Sequence, residues 1–74
     1  MTYQEIENAV LNIKGIGGMT VNERLYISGL IDEFDSALEN DKNKAKFILE
    51  LLKVDDLSIE KILNNDNFND NNGF

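Results

Sequence analysis

Apolar positions recur with a helical period through residues 20–40. At about 100° per residue, Ile27, Leu30, Ile31, Phe34, Ala37 and Leu38 fall on one stripe, and Asp32, Glu33, Asp35, Ser36, Glu39 and Asn40 fall opposite. Thr20 and Glu23 have the spacing of a capping box, in which the hydroxyl and the carboxylate each satisfy a first-turn N–H. The pattern predicts one central helix over residues 20–40. Val21 and Leu25 lie off the stripe, beside the small residues Ser28 and Gly29. Gly29 lowers helix propensity by up to about 1 kcal/mol relative to alanine, which points to close packing there. Either the first helix folds back onto this group, or a partner or a second copy of the chain covers it.

Upstream, Thr2 and Glu5 repeat the capping spacing, and Tyr3, Ile6, Val10 and Ile13 make the apolar face of a first helix that Gly15 stops. Residues 16–19 are the connection. Downstream, Asp41 suits the cap of a helix over residues 42–54, whose Ala45, Phe47, Ile48, Leu49, Leu51 and Leu52 span about 200° of its surface. Such a helix must be covered on two sides. Ser58 or Asp56 caps a short last helix that buries Ile59, Ile62 and Leu63.

Residues 1–63 therefore read as a single all-α domain, a compact bundle of three main helices plus a short C-terminal helix. Its expected core is Ile6, Val10, Ile27, Leu30, Ile31, Phe34, Leu38, Ile48, Leu52 and Ile62. From Asn64 the composition changes to Asn and Asp, with little to bury, so residues 64–74 are expected to form a mobile tail on which Phe68 alone could dock.

Composition narrows the function. The chain has 74 residues, for which one core supplies roughly 3–5 kcal/mol, so a partner or dimerisation would help. It has neither Cys nor His, which removes disulfides, the usual zinc and haem ligands and the commonest general base. The expectation is a protein that is not an enzyme, with no catalytic residue, no metal and no cofactor.

Charge points the same way. The net charge is -7, and residues 1–40 carry seven acids against Lys14 and Arg24, while residues 41–63 are balanced. Such a surface repels nucleic acid and anionic lipid and favours cationic partners. Neither a membrane span nor a basic leader followed by an apolar run is legible, so a cytoplasmic location is expected.

Residues 13–25, Ile-Lys-Gly-Ile-Gly-Gly-Met-Thr-Val-Asn-Glu-Arg-Leu, resemble the helix-hairpin-helix family of non-specific DNA-binding motifs. The resemblance implies a turn whose backbone N–H groups hold a phosphate, with Lys14, Gly15, Gly17, Thr20 and Arg24 as the contacting set. Gly18 and Met19 stand where family members often place proline and lysine, and the surroundings are acidic. Residues 20–35 are similar to segments of short uncharacterised bacterial proteins, which implies no activity.

The acidic face formed by Asp32, Glu33, Asp35, Ser36 and Glu39 is the second candidate. It predicts a binding surface for a basic target, of the kind used by an inhibitor, immunity or anti-defence protein from a bacterium or phage. That module, with a protein partner and with a homodimer through Val21, Leu25, Ser28 and Gly29 as a further option, is the leading expectation. Nucleic-acid binding through the glycine turn is the alternative.

Overall fold

Two capping boxes start the first half of the chain, as their spacing predicts. Thr2 Oγ1 accepts from the Glu5 N–H at 3.1 Å while Glu5 accepts from the Thr2 N–H at 2.7 Å, which opens α1 (Tyr3–Leu11). Thr20 and Glu23 make the same pair at 3.1 and 2.8 Å and open α2 (Val21–Ser28). The computed structural model describes residues 1–64, and every regular element among them is helical. After a 3-10 turn at Ile16–Gly18 and α2 come α3 (Ile31–Asn40), α4 (Lys42–Leu51) and α5 (Asp56–Asn64). The expected tail, with Phe68, lies outside the described residues save for Asn64, which closes α5.

All-α is therefore the fold, but five helices stand where the pattern predicted three long ones and a short one. The largest correction falls on residues 20–40. Gly29 takes φ +74° and ends α2, its N–H donating to the Tyr26 carbonyl, while the Leu30 N–H donates to the Leu25 carbonyl. This pair of bonds around a left-handed residue is a Schellman closure, accompanied by the burial of Leu25 and Leu30 in one core. The break resets the helical phase. Leu25, Leu30, Phe34 and Ala37 line the core, while Ile27 and Ile31, expected inside, are 54% and 37% exposed. Val10 and Leu38 are half-buried against the core.

The other boundaries shift for local reasons. α1 closes at Asn12, before Gly15, whose φ of +72° instead sets up the 3-10 turn. α4 stops at Leu51, three residues early, in a second Schellman closure: the Lys53 N–H donates to the Glu50 carbonyl and the Val54 N–H to the Leu49 carbonyl. Here the left-handed position is held by a lysine, Lys53 at φ +66°. Asp55, not Asp56 or Ser58, caps α5, accepting from the Ser58 N–H at 3.0 Å and the Ser58 hydroxyl at 2.8 Å.

α4 lies at the centre. It packs on α3, α5 and α1, and it buries Ala45, Ile48 and Leu49, as its wide apolar arc requires. α1 contributes Ile6 to the core and stacks Tyr3 on Phe47 of α4 with ring centroids 4.4 Å apart.

The two Schellman closures make opposite expectations. An L-residue in the left-handed region costs about 1–2 kcal/mol relative to its preferred backbone, and a Cβ at Gly29 would meet no atom within 4 Å. Gly29→Ala is thus expected to destabilise by about 1 kcal/mol through backbone strain alone, and Lys53→Gly to stabilise by up to about 1 kcal/mol. Urea melts of the two variants should shift in opposite directions. Equal shifts of one sign would refute the account.

Candidate functional site

The acidic face divides once its partners are placed. Glu33 faces back toward α4, where Lys44 Nζ donates to its Oε2 at 2.9 Å and the amino group of Met1 lies 3.4 Å from its Oε1. The Lys44 hydrogen bond, with the nearby positive charges, holds the Glu33 carboxyl below its ordinary value, and the same bond raises the Lys44 ammonium above its own. Glu33 is a structural tie. Asp32, Asp35 and Glu39 remain, exposed on a single arc of α3 and in no ion pair among the described residues. Ser36 lies exposed on the same helix, and its carbonyl accepts from Asn40 Nδ2 at 3.1 Å. No three carboxylates among the described residues are grouped so as to hold a metal ion.

Asp55 is held low as well, by the Ser58 N–H and then the Ser58 hydroxyl. Both carboxyls have folded values below their ordinary ones of 4.5 and 3.8. Their contribution is then complete above those values and lost as the pH falls through the folded ones. Chemical-denaturation midpoints should drop as the pH falls below those ordinary values and through the lower folded ones, and Glu33→Gln should flatten part of that drop. A Glu33→Gln profile that follows the wild type throughout would show that the Lys44 tie contributes nothing.

The set suggested by the helix-hairpin-helix resemblance is assembled differently from a phosphate cradle. Thr20 and Glu23 cap each other, so the Glu23 carboxylate takes the Thr20 N–H at the start of α2, the end of the helix where an anion would be held. Arg24 turns inward: its Nε donates to the Met19 carbonyl at 3.0 Å and its Nη1 to the Leu52 and Lys53 carbonyls at 3.1 Å each. It satisfies the end of α4. Lys14 and Gly17 are exposed, and a Cβ at Gly17 would meet nothing within 4 Å. Gly15 is the member of the set whose backbone conformation calls for glycine.

Within the Val21, Leu25, Ser28 and Gly29 group, Leu25 and Val21 pack on the core, while Gly29 is exposed with no neighbour within 4 Å of a Cβ and serves the left-handed turn instead of the close packing expected there. Leu25 is 3% exposed, Val21 rests on the core, and the Ser28 hydroxyl donates to the Leu25 carbonyl at 3.1 Å. A partner cannot reach Leu25 there. What the periodicity missed is the surface that the break at Gly29 creates on the other side of α2. Tyr26 is 74% exposed, and with Ile27, Ile31 and Met19 it lines a shallow groove of about 540 Å³ that also holds Asn22 and Glu23. The available signal was Leu25-x-x-x-Gly29-Leu30, an apolar residue, a glycine four later and a second apolar residue, which is the Schellman spacing.

Fold and surface together define a small all-α domain with an acidic helix beside an exposed apolar groove, and no helix among the described residues is long and apolar enough to cross a membrane. No family model matches the chain, and no curated protein or solved structure matches it significantly.

Proposed function

We propose that the chain is a small, non-enzymatic interaction module that acts by covering a basic surface of another protein. An inhibitor, immunity or anti-defence role is the most specific form of this reading. The observation that carries it is the arc of Asp32, Asp35 and Glu39. These three carboxylates face solvent on one side of α3 and pair with no cation among the described residues, whereas Glu33 on the same helix is tied to Lys44. Charges arranged on one side accelerate encounter with an oppositely charged partner and fix its orientation. The chain's net charge of -7 extends that attraction and disfavours nucleic acid.

The test is a pull-down from a host lysate with the wild-type chain and with Asp32→Asn/Asp35→Asn/Glu39→Gln in parallel. A partner retained by the wild type, lost with the neutralised variant and released by high salt is the expected result. Retention of the same proteins by both forms would overturn the reading. The nucleic-acid reading is carried by the glycine turn, and Lys14→Glu tests it: salt-sensitive duplex binding that this change abolishes would favour it over the acidic module.

A further inference from the structure

The geometry points to the groove between Met19, Tyr26, Ile27 and Ile31 as the centre of the interaction surface, with a Lys/Arg-flanked amphipathic helix of the partner as its occupant. The inference rests on the acidic-module reading and adds to it an apolar anchor.

Three observations select this occupant. Tyr26 and Ile27 are 74% and 54% exposed although Leu25 on the same short helix is buried. A contiguous exposed apolar surface on a small domain marks an interaction site, and tyrosine is among the residues that dominate binding energy. Second, the groove runs along α2. Met19, Asn22 or Glu23, and Tyr26 succeed one another at intervals of three or four residues, Ile27 lies beside them, and Ile31 joins the groove from the start of α3, beyond the break at Gly29. Rows with that spacing are what a partner helix packs against. There is no strand edge among the described residues to receive an extended segment.

Third, the groove holds one acid, Glu23, and continues along α3 toward the exposed carboxylates of that helix. Asp35 follows Ile31 by one helical turn, with Glu39 and Asp32 next around α3. The cation of these two helices, Arg24, is directed at the carbonyls of Met19, Leu52 and Lys53. A second copy of the chain would bring two such sets of carboxylates together, like charge against like, in a two-fold contact. A helix with leucine-like residues on one face and lysine or arginine on both flanks matches apolar to apolar and base to acid.

The probe is a synthetic amphipathic peptide of leucine and lysine with a fluorescent label, titrated with the full chain while backbone amide shifts are followed by NMR. Two controls accompany it: a scrambled peptide of the same composition, and one with glutamate in place of lysine. The expected result is binding that moves the amides of Met19, Tyr26, Ile27 and Ile31 and is at least about tenfold weaker with either control. Tyr26→Ala and Ile27→Ser, both exposed and checked for an unchanged helical spectrum, should each weaken it about tenfold or more.

Equal binding of the scrambled peptide, with shifts confined to Asp32, Asp35 and Glu39, would overturn the apolar anchor and leave the acidic module standing. Failure of every lysine peptide to bind would overturn both. Sedimentation as a dimer that Ile27→Glu dissociates would assign the groove to a second copy and so refute the proposed occupant.

Discussion

Phe34→Ala is expected to leave the chain largely unfolded at room temperature. Phe34 is 1% exposed and is the largest of the fully buried side chains, with Ile6, Leu30, Ile48, Leu49 and Leu52 in the same cluster. Truncating a buried phenylalanine costs about 3–5 kcal/mol, the lost transfer free energy together with the cavity left behind. A single small core supplies about the same amount in total. The helices are also too short, at eight to ten residues, to persist without packing. Far-ultraviolet circular dichroism should therefore lose most of its helical signal. A cooperative melt with a near wild-type midpoint would show that the core closes around the loss.

Arg24→Ala is expected to have the next largest effect, about 1.5–2 kcal/mol, from loss of charge-assisted hydrogen bonds to backbone carbonyls. The guanidinium joins the Met19 carbonyl, just before α2, to the Leu52 and Lys53 carbonyls just after α4. Without it, carbonyls at the negative end of α4 lose their partner, and two segments about thirty residues apart lose their polar link. Arg24→Lys should recover only part of the stability, because one ammonium cannot reproduce a planar fork aimed at three acceptors. Urea midpoints of the two variants measure both statements. Full rescue by lysine would reduce the role of Arg24 to its charge.

Much of this was legible in the chain. The capping boxes at Thr2 and Thr20 and the Asp41 cap are local chemistry, written in residues three apart, and they form as spaced. The apolar arc of α4 also survives, because a helix covered on several sides tolerates an error of phase. The stripe through Ile27 did not survive, because a period carried across Gly29 assumes that the backbone keeps one rotation, and a single left-handed residue changes it. That one break moved Ile27 outward and Leu25 inward. It also left Ile27 and Ile31, which the pattern had assigned to the core, on an exposed surface beside Tyr26. Arg24 was misleading for another reason: an arginine beside a glycine turn has the same appearance in sequence whether it meets a phosphate or the carbonyls of a helix far along the chain.

The order in which the helices pack has a kinetic corollary. Among the described helices the main contacts put α2 on α3, α3 on α4 and α4 on α5, each on its successor, whereas α1 packs ahead on α4. Closing short loops costs little entropy, and chains dominated by such contacts refold within about microseconds to milliseconds. The four later helices can assemble locally, leaving the arrival of Ile6 and the Tyr3 ring against α4 as the event that spans the greatest length of chain.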